Sequence, residues 1–274
     1  MKKNLAAFAF LAAVQLFGAE PQQQEGVFME SYQECRIFSI QDQPMTMPGR
    51  LFRSIDPDEN FRPAGAYPAS LNVFLIQDLR SGKNALIDAG YGKAGNHLAA
   101  RLAALDLKPE DISAVFITHI HPDHVGGLTT PEGKVAFPNA SILIARKEYE
   151  EWRNDPSRAA LARHLTPNRD RIVLLDYDRE VAPFGLTPLH RPGHTPGHTV
   201  FTMKVSREGK APEPVWFVGD IVHAGELQIP HPQFCARFDK DFNTAVKSRR
   251  ELLESAPVWH GAHLPFPGIV RVGR

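Results

Sequence analysis

Short apolar runs recur along the chain, each bounded by turn-forming residues, and between them lie segments whose apolar positions repeat at helical spacing. Asn72-Val73-Phe74-Leu75-Ile76 reads as a strand, Ser81-Gly82-Lys83-Asn84 as a hairpin turn and Ala85-Leu86-Ile87 as the partner strand. Leu98, Leu102 and Leu105 fall on one helical face, and Pro109-Glu110-Asp111 opens another short helical turn. Ala114-Val115-Phe116-Ile117 is a buried strand that runs directly into a group of histidines. Strands continue over Ser141 to Ile144, Arg171 to Leu175, Gly185 to Leu189, Thr199 to Val205 and Val215 to Val218, with a last one near Val258 to Gly261. Helices are expected to start at Lys147 to Trp152 and to cover Asn243 to Leu253. Strands and helices alternate throughout, so the class is α/β or α+β, with sheets covered by helices.

Composition narrows the functional classes. The chain has 274 residues, 43% hydrophobic and 23% charged, which is globular and not disordered. Lys+Arg and Asp+Glu are both 31, so no basic surplus exists to neutralise phosphates and no nucleic-acid partner is expected. Two cysteines cannot build a disulfide scaffold or a four-cysteine metal site. Lys2 and Lys3 precede the apolar run Leu5 to Phe17, which is too short to cross about 30 Å of hydrocarbon. With Gly18 and Ala19 it reads as a signal peptide over residues 1–19. That implies a periplasmic or secreted protein with no membrane attachment after cleavage. Export makes a Cys35–Cys235 bridge permissible, while spacing leaves its formation open. Residues 20–66 would then be a lead-in with the first strand or strands, and 67–274 the main domain.

The twelve histidines stand out in the composition, and their placement narrows the chemistry. Thr118-His119-Ile120-His121-Pro122-Asp123-His124 packs three imidazoles and a carboxylate into six positions. In extended backbone His119 and His121 point to one side. Pro122 ends any regular ladder, and the turn it starts brings Asp123 and His124 round to the same pocket. Imidazole nitrogen and carboxylate oxygen are the donors that divalent transition metals take, so this loop alone could seed two sites. Further candidates follow apolar strands or sit beside glycine: His194 and His198 in Gly193-His194-Thr195-Pro196-Gly197-His198, Asp220 after Phe217-Val218-Gly219, and His263 in Gly261-Ala262-His263.

In order and context these motifs, together with Asp88 in Leu86-Ile87-Asp88-Ala89-Gly90, resemble the metallo-β-lactamase fold superfamily from about Tyr67 to Gly268. The closing Ala-His-Leu-Pro-Phe-Pro-Gly after Phe-Val-Gly-Asp is most similar to the branch of methyl parathion hydrolases and quorum-quenching lactonases. The resemblance implies a single four-layer αββα sandwich with metals held by loops at one edge of two facing sheets. Residue by residue, it implies that His119, His121 and His194 hold a first metal, Asp123, His124 and His263 a second, and that Asp220 bridges both. His198 is the rival to His194 across the same Pro-Gly, and Asp88 is expected to orient a ligand histidine. His223, His231 and His260 lie near enough in sequence to face the pocket.

The chemistry so implied is hydrolysis of a lactone, ester or phosphotriester of a small hydrophobic substrate by a metal-bridging hydroxide, with Asp220 and Asp123 as the catalytic carboxylates. Zinc is the default pair of ions, with manganese, cobalt or iron compatible. The bridging Asp220 argues against a true β-lactamase, and only Leu264 to Arg274 follow the last histidine, so the helical domain of glyoxalase II types is not expected. Trp152, Phe234 and Phe266 are candidates to line a hydrophobic pocket. A mononuclear iron dioxygenase and a non-catalytic ligand-binding relative are the alternatives. Relatives are often dimers, so a homodimer is a further expectation.

Overall fold

The structure, a computed structural model, describes residues 25–272, so the expected signal peptide lies outside the described residues. Fourteen strands are described: β1 (Val27–Ser31), β2 (Cys35–Pro48), β3 (Phe52–Ser54), β4 (Ala66–Asp78), β5 (Asn84–Ile87), β6 (Ile112–Ile117), β7 (Ser141–Ala145), β8 (Ile172–Leu175), β9 (Thr187–His190), β10 (Thr199–Val205), β11 (Glu213–Gly219), β12 (Phe234–Ala236), β13 (Val258–Gly261) and β14 (Ile269–Arg271). The helices are α1 (Leu98–Ala104), α2 (Pro122–Val125), α3 (Arg146–Asn154), α4 (Ala162–Leu165), α5 (Gly225–Gln228) and α6 (Phe242–Ser255). One sheet runs β1-β2-β4-β5-β6-β7-β8, and a second runs β14-β13-β11-β10-β9. Strands β3 and β12 form a small third ribbon.

The period-two alternation of the strands divides their side chains between two cores. In β4, Val73 and Leu75 face outward onto Leu98 and Leu102 of α1, with Tyr149 and Trp152 of α3 packed at the margin. Phe74 and Ile76 face inward, where they meet Phe201, Met203, Val215 and Phe217 of the second sheet. The outer face of that sheet, through Val200, Val218 and Trp259, is closed by Leu252 of α6. Helix, sheet, sheet and helix are thus separated by three apolar layers, the four-layer sandwich that the resemblance implies. No helix among the described residues is long and apolar enough to cross a membrane.

The two sheets are sewn together at the edge where β5, β6, β11 and β13 end. Thr199 N–H donates to Thr118 C=O at 2.9 Å and Asn72 N–H to Ala262 C=O at 2.8 Å. Every histidine and aspartate of the expected metal set follows one of these strand ends or the β9–β10 connection.

Several details differ from expectation. Strand β2 has no clean alternation because it bulges between Gln41 and Gln43, and the bulge turns Asp42 into the core. There its carboxylate accepts from the backbone N–H groups of Tyr91, His97 and Leu98 and from Asn96 Nδ2 at 2.6–3.1 Å, which caps the start of α1. Strand β9 begins at Thr187, because Gly185 at φ +67° lies in the turn between Val181 and Leu186. Cys35 and Cys235 are both buried and free, one in the large sheet and the other in the small ribbon.

Candidate metal centre

The arrangement starts from β6, whose last residue Ile117 delivers Thr118 and the histidine run into the seam between the sheets. His121 precedes α2, and Pro122 at the first helical position bends the chain so that Asp123 and His124 follow on one turn. His119 Nε2 and His121 Nδ1 stand 3.0 Å apart. His194, from the β9–β10 loop, brings its Nε2 to 3.1 Å from the first and 2.9 Å from the second. Asp220 Oδ2 completes the group at 3.3 Å from His194 Nε2 and 3.6 Å from His119 Nε2. Bonds of 2.0–2.1 Å to a tetrahedral ion require donor separations of about 3.3 Å, so these four atoms fit a zinc-sized cation.

A second group shares the same aspartate. His263 Nε2 lies 3.2 Å from Asp220 Oδ2 and 3.3 Å from Asp123 Oδ2, and His124 Nε2 lies 3.1 Å from Asp220 Oδ1 and 3.8 Å from Asp123 Oδ2. His124 Nε2 and Asp220 Oδ1 are buried and make no hydrogen bond despite their proximity. Two buried lone-pair-bearing atoms facing each other are the donor chemistry that a shared cation satisfies. Ligand atoms of His119, His121, His194 and Asp220 converge in one cluster, those of Asp123, His124 and His263 in a second, and those of Asp220, His223 and His263 in a third that links the two.

The rings are aimed by their other nitrogens, and this fixes which face is free. His124 Nδ1–H donates to Asp88 Oδ2 at 2.8 Å. Asp88 also accepts from the Thr118 backbone N–H and hydroxyl at 2.8–3.1 Å, and the Thr118 oxygen in turn accepts from His119 Nδ1 at 3.0 Å. One carboxylate therefore orients a histidine in each group. His194 Nδ1–H donates to Asp239 Oδ1 at 2.8 Å, and His263 Nδ1–H to the Ser70 carbonyl at 3.3 Å. His198 does not join the donor set: its Nε2 accepts from the Asp220 backbone N–H at 3.1 Å and holds the shared aspartate from behind. Gly219, at φ +52°, makes room for that ring, since a Cβ there would lie 2.7 Å from His198 Nε2.

The electrostatics divide along the same line. Burial pushes His119 and His121 well below the usual imidazole range, and neighbouring imidazoles push them further, which favours the neutral, metal-binding form. Burial opposes charge on His124 and His263 too, but Asp220 and its companion carboxylates outweigh it. They hold His124 well above its ordinary value and raise His263 to about 10. Burial would raise Asp220 and Asp123, yet the surrounding histidines, His124 first, hold both below the usual carboxylate range. The carboxylate-rich end draws positive charge.

Two orienting residues, Thr118 and Asp239, were not legible beforehand. Asp239 sits 45 residues from His194 with no motif around it. His223 faces the centre, its Nε2 at 3.1 Å from Asp220 Oδ2, while burial pushes its ring down to about 4 and so keeps it neutral. His260 instead pairs across the core with Glu30 at 2.9 Å, and His231 stacks on Phe61. Above the donor set opens a cleft of about 470 Å³ lined by Met45, Met47, Pro48, Leu51 and Phe238 as well as by His121, Asp123 and His263. Trp152, Phe234 and Phe266 do not line it. Trp152 is committed to the outer core and Phe234 to the core of the small ribbon.

Comparison with known proteins identifies the family of the fold. An N-acyl homoserine lactonase of a Bacillus species is 34% identical over 108 residues, which is 39% of this chain and 39% of that protein. The chain thus aligns with about two fifths of the length of such curated relatives. The solved structure of AidC, a dizinc quorum-quenching lactonase in complex with a product, superposes with a TM-score of 0.77 at 26% identity, covering 90% of this chain and 93% of that one. The hydrolase AbOPH superposes with a TM-score of 0.75 at 24% identity over 91% and 94% of the respective chains, a likeness of fold. The profile of the Metallo-beta-lactamase superfamily matches residues 66–271, from the first residue of β4 to the last of β14, and the chain belongs to that superfamily.

Proposed function

We propose that the protein is a dinuclear metal-dependent hydrolase that opens the ester bond of a small hydrophobic lactone, with N-acyl homoserine lactones the first candidates. The observation that carries this reading is the pair of donor groups joined through Asp220, whose two oxygens lie 3.1 Å from His124 Nε2 and 3.2 Å from His263 Nε2, at the floor of an apolar cleft. His119, His121, His194 and Asp220 would hold one ion, and Asp123, His124, His263 and Asp220 the other. A pair of divalent ions bound there would lower the pKa of coordinated water towards about 7 and polarise the scissile carbonyl. The chain supplies the rest. Asp123 is the carboxylate of the set that opens to the cleft, its side chain 23% exposed, so it can take up and hand on the proton released in the attack. Asp88, Asp239 and Ser70 keep the rings aimed, so little reorganisation is needed as charge develops. Met45, Met47, Leu51 and Phe238 would receive the acyl portion and exclude water from it.

The test is metal quantitation on purified protein followed by assay against acyl lactones, aryl esters and a phosphotriester. Two equivalents of a divalent metal and lactone turnover are expected, with turnover lost on chelation and restored by zinc. A single iron with thiol-dependent oxygen uptake would replace this reading by the dioxygenase one. The cleft wall gives a second expectation. Phe238 is 39% exposed and lies edge-on to His223 with centroids 4.6 Å apart, so a bound acyl chain would cover its free face. Burying part of a phenyl ring contributes roughly 1.5 kcal/mol, so Phe238→Ala should raise KM for a long-chain acyl lactone about tenfold with little change in kcat. An unchanged KM would place the acyl chain elsewhere.

A further inference from the structure

Helix α3 is amphipathic in the ordinary sense except at Glu148, whose carboxylate is fully buried in contact with both histidine loops of the first donor group. Its Oε1 accepts from the Ile120 backbone N–H at 2.8 Å and from Arg158 Nη2 at 3.2 Å. Its Oε2 accepts from the Thr195 hydroxyl at 2.7 Å and from the Gly197 backbone N–H at 3.2 Å. Arg158, itself buried, donates from the same Nη2 to the Ile120 carbonyl at 2.7 Å. Ile120 is the residue between His119 and His121, and Thr195 directly follows His194. Both backbone polar groups of Ile120 are thus held by one buried ion pair, whose carboxylate also grips the loop that carries the third histidine.

We infer that Glu148, backed by Arg158, is a positioning residue for the first metal: it clamps the His119–His121 segment to the His194 loop and so sets the triangle of imidazole nitrogens. Three features support a built device. All four contacts to the carboxylate come from donors, which fills both oxygens and leaves no room for an equivalent neutral side chain. Gly197 allows the close approach, since a Cβ there would meet Glu148 Cα and N at 2.3 Å. None of the four contacts to Glu148 comes from Asp123, His124 or His263, and the two rings of that second group are held by Asp88 and the Ser70 carbonyl. Disturbing Glu148 is therefore expected to loosen the first site more than the second, to which it couples only through Asp220 and the His121 carbonyl that accepts from the His124 N–H at 3.0 Å. An amide cannot replace it, because its NH₂ would face either Ile120 N–H or Gly197 N–H as donor against donor.

The inference rests on the dinuclear reading, and its test separates the two. Stepwise cobalt(II) titration of metal-free protein against a competing chelator, followed by visible absorption, reads each binding step without any substrate. Wild type should show two steps; absence of metal uptake there overturns the dinuclear reading itself. In Glu148→Gln one step should weaken 10- to 100-fold while the other stays within twofold, the size expected for loss of an outer partner of a metal ligand. Thr195→Val, which removes one of the four contacts and keeps the rest, should weaken the same step by a smaller factor. In His263→Ala protein, which keeps the three-histidine group, adding Glu148→Gln should weaken the remaining ion. Two unchanged steps in Glu148→Gln, or equal weakening of both, would overturn the clamp and leave the hydrolase reading standing.

Discussion

Asp220→Ala is expected to cut kcat/KM for a lactone substrate by far more than about a hundredfold and to reduce bound metal to at most one equivalent. Loss of a residue that merely orients a metal ligand costs 10–100-fold, and Asp220 faces both donor groups directly. Its Oδ2 lies 3.2–3.6 Å from His119, His194 and His263, and its Oδ1 lies 3.1 Å from His124. It is the only carboxylate among the described residues that both proposed ion sites share. Without it, the imidazoles of the two groups face each other with no anion between them, which raises the cost of bringing two dications close together. Asp220→Asn is the informative companion. It keeps the side chain's size and its backbone hydrogen bond to His198, so a comparable loss there assigns the effect to charge and coordination. Mass-spectrometric metal counts alongside kcat/KM check both variants, and full metal content with full turnover in Asp220→Ala would remove the basis of the dinuclear mechanism.

The parts of this centre that were legible in the sequence are those that depend on local order. A β-strand followed by His-x-His-Pro-Asp-His is a local geometry, so the convergence of His119, His121, Asp123 and His124 follows from alternation and the bend at Pro122. Strands such as β10 and β13 were legible for the same reason, as runs of apolar or β-branched residues between turns. The residues that aim the rings depend on tertiary proximity. Asp239 and Glu148 each have charged residues beside them, Lys240 and Asp241 in one case and Arg146 and Lys147 in the other, so a carboxylate there reads as solvated until its partners from distant loops are known. Strand β2 was obscured because a bulge and a half-exposed end replace alternation with Gln41-Asp42-Gln43. The cleft wall was mislocated towards Trp152 and Phe234 because size and apolarity mark residues for burial in general. Met45, Met47 and Leu51 reach the cleft because the paired β2–β4 arm runs on to Pro48 and Ala66, beyond the rungs shared with β1 and β5, before the chain turns into β3.

Arg249→Met should lower the melting temperature by roughly 6–20 °C while costing less metal affinity than a change at Asp239. Arg249 is 1% exposed on the inner face of α6. Its Nε donates to the Ile221 carbonyl at 2.7 Å, and its Nη1 to the carbonyls of Pro232 and Phe234 at 2.7 and 2.8 Å. Its Nη2 stands 3.9 Å from Asp239 Oδ2. Methionine preserves the apolar stem but strands the Ile221 and Pro232 carbonyls, leaves the Phe234 carbonyl with Gln228 Nε2 at 3.0 Å, and removes the cation nearest a buried carboxylate. Breaking a buried charge pair in this way costs about 3–5 kcal/mol, and each kcal/mol corresponds to about 2–4 °C in a chain of this size. Asp239→Asn removes the other half of the contact. Its remaining oxygen can still accept from His194 Nδ1 or from the Ala236 N–H, whose distances are now 2.8 and 2.9 Å, but not from both. A 10- to 100-fold loss of metal affinity with a smaller fall in the stability of metal-free protein is therefore expected for that variant. Thermal unfolding of both metal-free variants, set beside their zinc affinities, decides the matter. If Arg249→Met and Asp239→Asn lose stability and zinc in the same proportion, the two residues act as one unit. If they separate as argued, the cation stabilises the loops beneath the centre while the aspartate aims the ligand.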